Sequence, residues 1–185
     1  MNVGLAVTRI ATRAPDSLAL FDGPRTMDYR TLDERSNRLA QALSAALGVA
    51  PGERVALLVH NRMEVVEVLT GCAKAGAVYV GLNFRMTEGE LQSVFDNAGP
   101  RVLITEPEFE ALAHALADAR GIPVRVLDAG GSYEAMLAQA ADTLPDAAHR
   151  VFPSISYSRQ ATVPCCRAAA WSNRMPLGKP VVPLV

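Results

Sequence analysis

From Arg54 to Asp128 the chain alternates between short runs of β-branched and apolar residues and longer stretches whose apolar side chains recur at helical spacing. The short runs are "RVALLVH", "AVYVGL", "RVLIT" and "VRVLD". Each reads as a strand buried on both faces. Between them, Val65, Val68, Leu69 and Cys72 mark one face of a helix. Leu91, Val94, Phe95 and Ala98 mark a second, and Phe109, Leu112, Ala113 and Leu116 a third. Strands separated by helices are joined by right-handed crossovers, which makes neighbouring strands parallel. The expected fold class is α/β, a mainly parallel sheet with flanking helices.

The flanking segments extend this pattern. Val3, Val7, Ile10 and Ala11 form a short helical stripe ended by Pro15. "LALFD" and "TMDYR" around Gly23-Pro24 predict a short N-terminal hairpin. Thr31-x-x-Glu34, Asn61-x-x-Glu64 and Thr87-x-x-Glu90 have the spacing of helix-capping pairs. Leu32, Leu39, Ala40, Leu43 and Leu47 then line a helix stopped by Gly48, and Gly76 and Gly99-Pro100 stop two others. "SYEAMLAQAA" predicts one more helix and "SISYS" one more strand.

Half of the residues are apolar, 20% are charged and the formal net charge is −1. That is a globular composition with no basic footprint for nucleic acid or an anionic membrane. No stretch approaches the ~18 apolar residues of a membrane span. The start, "MNVGLAVTRIATRAPD", lacks a signal peptide's charged front and long apolar middle, although its lack of acid before Asp16 leaves an organelle presequence as a minor alternative. Cys165 and Cys166 are adjacent and poorly placed to bridge each other, and Cys72 falls in an apolar stripe. A reducing, cytoplasmic setting is expected.

Composition breaks near residue 150. All 19 acidic residues lie at or before Asp146, whereas the segment from Val151 onward holds five of the 12 prolines, two of the three cysteines and the only Trp. Residues 1–150 are therefore read as an α/β body and 151–185 as a divergent tail.

Ligands of open parallel sheets sit beyond the carboxyl ends of the strands. The loops to inspect are His60-Asn61, Gly81 to Thr87, Thr105-Glu106, Asp128 to Ser132 and Ser158 onward. No G-x-G-x-x-G follows a strand. Gly71 and Gly76 have the spacing of a phosphate loop but lie within a helical stripe, where they are expected to serve helix–sheet packing. His60 is expected to be solvated or hydrogen-bonded, with an acid–base role as the alternative. His114 is expected to be exposed and Tyr79 to belong to the core. Lys74, at a helix end, is expected to complement the helix dipole. No metal cluster, paired carboxylate or Ser/His/Asp set stands out, so no catalytic or metal-ligating residue is assigned. The residues alone specify an α/β domain of unstated activity.

Three stretches resemble the amino-terminal part of the adenylate-forming (AMP-binding) superfamily, most closely its acyl-CoA synthetase, or fatty-acid–CoA ligase, branch. They are "MDYRTLDERSNRLAQAL", the block "GVAPGERVALLVHN", and the run from "KAGAVYVGLN" to "RVLIT". The match covers roughly residues 1–130, and Gly81 stands where the family usually has Pro. The resemblance implies a ligase that adenylates a carboxylic acid, typically fatty, with ATP and Mg²⁺, then passes the acyl group to coenzyme A. It implies no nucleic-acid partner and no membrane span, and the apolar surface left uncovered by truncation could mediate self-association.

In that family a glycine-rich phosphate loop follows a strand like "SISY". Here Tyr157-Ser158 resembles the loop's entry, so Ser158 is the one candidate nucleotide-binding residue. "AAAWSNR" resembles the run after the loop, but "RQATVPCC" between them has no glycine. A phosphate loop needs bare backbone N–H groups, and Pro164 removes one while Val163 crowds another. We hypothesise that residues 159–166 come from a shifted reading frame, because codons for these eight residues, read two nucleotides later, can encode Ser-Gly-x-Gly-Ala-Val-Leu. A truly divergent tail is the alternative. Nucleotide sequence from codon 150 onward decides: the frameshift idea fails if no frame encodes a glycine-rich loop. On this reading the 185-residue chain is a truncated, inactive ligase, with a non-enzymatic α/β interaction module as the competing reading.

Overall fold

The structure, a computed structural model, describes residues 2–149 and the two-residue strand Ile155–Ser156. Helix α1 (Val3–Arg13) leads into the antiparallel hairpin β1 (Leu18–Asp22) and β2 (Arg25–Asp28), which turns at Gly23 with φ 58°. Helix α2 (Tyr29–Ala45) precedes the sheet. The sheet is built from β3 (Arg54–Leu58), β4 (Val78–Leu82), β5 (Val102–Thr105), β6 (Val124–Val126) and β7 (Ile155–Ser156). Helices α3 (Glu64–Ala75), α4 (Glu88–Ala98), α5 (Glu110–Asp118) and α6 (Ser132–Ala138) alternate with these strands.

The strand order is β6-β5-β3-β4-β7 and every pairing is parallel. The chain therefore starts at the centre of the sheet. It steps to β4 through α3, crosses back to β5 through α4, moves outward to β6 through α5 and returns past β4 to β7. Two apolar cores result. On one face Val55, Leu57, Val102 and Ile104 pack with Leu39, Leu43, Val68, Cys72 and Tyr133 of α2, α3 and α6. On the other, Ala56, Leu58, Val80 and Leu103 pack with Leu91, Phe95, Ala113 and Leu116 of α4 and α5. Alternate residues of β3 feed opposite cores, as the period of a strand buried on both faces requires.

Two expected caps are replaced. Helix α2 starts one turn earlier than the Thr31–Glu34 spacing implies, because the Asp28 side chain accepts the Thr31 N–H at 2.8 Å. That bond holds the Asp28 carboxyl below the usual carboxylate range. Asn61 caps nothing: α3 begins after Met63 with no side-chain cap, and Glu64 is engaged by two arginines instead. The Thr87–Glu90 pair does form the reciprocal capping box on α4. Gly71 serves a helix–helix contact and not the expected helix–sheet one. A Cβ there would stand 2.6 Å from Leu39 Cδ2, so α2 and α3 approach at the glycine. "SISYS" contributes a strand over Ile155–Ser156, whereas Ser158, residues 159–166 and "AAAWSNR" lie outside the described residues.

Candidate functional site

The outgoing connections of β3 and β5, which are neighbours, leave to opposite faces of the sheet: α3 packs in one core and α5 in the other. A parallel sheet opens a crevice at such a point, beyond the carboxyl ends of the two strands. Thr105 stitches the ends together, its hydroxyl donating to Leu58 O at 2.9 Å. Just past them stand His60 and Glu106.

Glu106 accepts the His60 backbone N–H at 2.7 Å, faces His60 Nδ1 at 2.5 Å and accepts from Arg62 Nη1 at 3.0 Å. Burial pushes its carboxyl up, but these three bonds outweigh burial and hold it below the ordinary value. The His60 ring packs against both Phe84, 4.3 Å away, and Phe109, 4.9 Å away, whose own rings are 6.0 Å apart. The carboxylate and the two rings restrict the orientation of the imidazole. His60 is therefore hydrogen-bonded, as expected of a strand-end histidine. The sequence pointed to both loops but not to their junction, because β3 and β5 neighbour each other only through the strand order.

Arg62 continues the network into a cavity of about 610 Å³ whose lining includes Arg25, Arg35, Arg62, Glu64, Asp128 and Glu134. Arg62 holds Glu64 through Nε at 2.8 Å and Nη2 at 3.1 Å, and Arg25 reaches Glu64 from the hairpin at 2.9 Å. Burial raises the Glu64 carboxyl, yet the two guanidiniums pull it down to about 2. With its folded value depressed from 4.5 to about 2, Glu64 stabilises the fold above pH 4.5 and loses that contribution as pH falls toward 2. We expect stability to decline across that window by up to about 3 kcal/mol from this group. Thermal melts between pH 7 and 2.5 check this, and Glu64→Gln should flatten the decline. An equally steep decline in that variant would contradict the assignment.

A second cluster lies on the cavity's inner wall and was not foreseen. Arg35 forks between Glu67, with Nε–Oε2 2.6 Å, and Glu134, with Nη2–Oε1 2.6 Å. The Tyr133 hydroxyl donates to Glu67 Oε1 at 2.5 Å. Glu67 and Tyr133 are both fully buried. Burial raises the Glu67 carboxyl even against Arg35, and burial beside Glu67 raises the Tyr133 hydroxyl.

Three other residues are settled by the structure. Lys74 is fully buried, contrary to the expected dipole partner, and its ammonium donates to Asp33 Oδ1 at 2.7 Å, Ser36 Oγ at 2.8 Å and Asn37 Oδ1 at 2.8 Å. Cys72 is buried, and burial pushes its thiol up to about 12, which makes it inert. His114 is half exposed, as expected.

The described residues do not fit a metal–triphosphate pair. Among them no group of three or more His, Cys, Asp or Glu side chains is placed to hold a metal ion. The three arginines of the cavity are each committed to carboxylates, so a polyanion would have to displace Glu64, Glu106 or Glu134. No helix among the described residues is long and apolar enough to cross a membrane.

Comparison with known proteins gives the geometry its context. The chain is 38% identical over 135 residues to the fatty acid–[acyl-carrier-protein] ligase ScoC of Streptomyces coeruleorubidus, covering 73% of this chain and 25% of that enzyme. It is 42% identical over 130 residues to a feruloyl-CoA synthase of an Amycolatopsis species, covering 69% of this chain and 26% of that one. In three dimensions it resembles the N-terminal domain of FACL13 from Mycobacterium tuberculosis, with TM-score 0.71, 30% identity and coverage of 79% of this chain and 38% of that one. The chain thus spans about a quarter of the length of these sequence relatives. The sequence profile of the AMP-binding enzyme family matches residues 7–167, and with the same parallel core in a solved relative, the chain belongs to that family.

Proposed function

We propose that this chain is the N-terminal portion of an ATP-dependent acid–thiol ligase, and that the 185-residue polypeptide does not adenylate substrate by itself. In the complete reaction a carboxylate oxygen attacks the α-phosphorus of ATP with Mg²⁺ present, and pyrophosphate leaves. A thiol, that of coenzyme A on this reading, then adds to the acyl carbon, loses its proton and expels AMP. The acid is a small carboxylic acid, most simply a fatty acid. The family match over residues 7–167 carries this reading, supported by relatives whose names specify fatty acid and feruloyl substrates.

Within the chain, residues 1–150 would be scaffold and Ser158 the entry to a phosphate loop that the glycine-free "RQATVPCC" does not supply. A reducing, cytoplasmic setting is part of this reading and rests on the spacing of the three cysteines in the sequence. The carboxyl edge also fits a scaffold role, since its cations are already neutralised by its own carboxylates.

The test is pyrophosphate release from ATP by the purified chain with a panel of fatty acids, for which no activity above background is expected. Release above background would overturn the inactivity. A chimaera in which residues 1–149 replace the matching part of the Streptomyces ligase tests the ancestry. It should make acyl-adenylate, and a folded but inactive chimaera would count against the ligase reading.

A further inference from the structure

We propose that the groove between α2 and α6 is a binding site for an amphiphilic monocarboxylate, one carboxylate head on an apolar body. This inference does not rest on the ligase reading above. The groove has a volume of about 630 Å³, within the range of small-molecule sites. It flanks β6, the edge strand, and β5 separates that strand from β3, whose end carries His60. Buried Ala42 of α2 and Met136 of α6 lie at its base, with exposed Ala45, Ala46 and Ala135 around them. The bottom of the groove is therefore apolar.

Side chains of α2 hold the walls in place. Arg35 ties α2 to α6 through Glu134 at 2.6 Å. Arg38 and Gln41 of the same helix grip the chain after α6, donating to Ala140 O at 2.8 Å and Thr143 O at 3.0 Å. A ligand meets walls already set at their separation and loses little binding energy to ordering them.

The polar end selects the occupant. The lining contains one charged residue, Arg125, and no carboxylate. Arg25, Arg35 and Arg62, which line the cavity described above, are all ion-paired, whereas Arg125 forms no ion pair among the described residues. One bond, from Nη1 to Val124 O at 2.9 Å, lays its guanidinium along the strand. The Nε and Nη2 groups have no partner among the described residues, and that edge of a guanidinium matches the two oxygens of a carboxylate. Ser132, also in the lining, accepts the Val126 N–H at 2.9 Å, which leaves its own O–H as a second donor. One guanidinium neutralises a singly charged head and leaves a phosphate dianion half compensated. The apolar base then favours an acid with a hydrocarbon body over a bare inorganic anion.

Octanoate is the probe, titrated at pH 7 into the full 185-residue chain and followed by amide chemical shifts. One saturable site is expected, with a Kd on the order of 1 mM and shifts centred on residues 42–46 and 132–136. Arg125→Gln should weaken binding about tenfold by removing the charge-assisted bonds. Ala135→Glu, at an exposed position near the start of α6 where a carboxylate suits the helix dipole, should keep the fold and abolish binding. Octyl phosphate should bind no more tightly than octanoate. No saturation at ten times the expected Kd overturns the proposal, as do shifts centred on the Arg25–Glu64 cavity or tighter binding of octyl phosphate. Unchanged affinity in a folded Arg125→Gln also overturns it. Should that variant not fold, unchanged affinity in Ala135→Glu does so instead. A dimer in sedimentation that Ala135→Glu dissociates and octanoate does not would assign the groove to a second copy, with the same consequence.

Discussion

Lys74→Ala is expected to cost about 3 kcal/mol, near the lower end of what breaking a buried ion pair costs, and to lower the melting temperature by roughly 10 °C. The ammonium is the hub of the three-helix layer. It binds Asp33 Oδ1, Ser36 Oγ and Asn37 Oδ1 of α2 from its position on α3. Asp33 Oδ1 also accepts the Thr8 hydroxyl of α1 at 2.6 Å. The amide of Asn2, which caps α1, reaches Ala73 O at 3.0 Å. Alanine takes the ammonium donor from Ser36 Oγ and Asn37 Oδ1, leaves Asp33 Oδ1 with the Thr8 hydroxyl alone, and opens a void where the Lys74 methylenes pack beside Gly4, at which a Cβ would come within 2.6 Å of Lys74 Cγ. Asp33, 16% exposed, regains some solvent, which keeps the loss at the lower end. Lys74→Met separates the two contributions by restoring volume without the donor, and should recover less than half of the loss. Urea unfolding followed by circular dichroism measures all three proteins. A loss below about 1 kcal/mol in the alanine variant, the size of a surface substitution, would show that the hub carries no weight.

This lysine also marks where the sequence stopped being legible. The strands and helices could be read because each has one dominant period. Val55 to Leu58 are all buried, and Leu91 and Phe95 fall on the expected face of α4. Helix α3 has two buried faces. Its apolar stripe of Val68 and Cys72 meets the sheet, as read. A second stripe at helical spacing, Glu67, Thr70, Gly71 and Lys74, is buried against its neighbours. Polar and small residues at that spacing look like a solvated face when the helix is considered alone. Only the close approach of α2 at Gly71 turns them inward. The unforeseen carboxylate cluster has the same origin. Glu67 and Glu134 are 67 positions apart in sequence, and Arg35, which joins them, belongs to a third helix.

The edge chemistry was partly legible for a related reason. His60 and Glu106 each follow a recognisable strand, so both could be named as edge residues. Their pairing depends on β5 lying beside β3, with β4 on the other side, and that order is a property of the crossovers. The expected caps failed for two reasons: at α2 the neighbouring Asp28 caps the helix one turn earlier, and at α3 the carboxylate is held by Arg62 and, from the hairpin, Arg25. Glu64 has the right spacing to serve a cap, but two guanidiniums hold it and bring it to about 2.

Arg35→Met should be at least as damaging as the loss of Lys74 at neutral pH, and its dependence on pH should identify the cause. The substitution keeps most of the side-chain volume and removes the cation that Glu67 contacts at 2.6 and 3.2 Å. Glu67 is fully buried, and burial already raises its carboxyl with Arg35 in place. Without the guanidinium it rises further, leaving a buried charge whose remaining described donor is the Tyr133 hydroxyl. The cost at pH 7 is about 3–5 kcal/mol if the carboxylate stays ionised. Protonation caps that cost. A carboxyl raised in the folded state favours folding below its unfolded value, and that advantage is lost as pH rises through the folded value. The gap between Arg35→Met and the parent should therefore be widest at neutral pH and narrow as pH falls toward 5. Adding Glu67→Gln removes the charge and leaves an amide that can still meet the Tyr133 hydroxyl. The double variant should recover most of the lost stability at pH 7 and show no narrowing between pH 7 and 5. If Arg35→Met and the double variant are equally unstable at every pH, the loss comes from packing around Arg35, and the buried carboxylate is not its source.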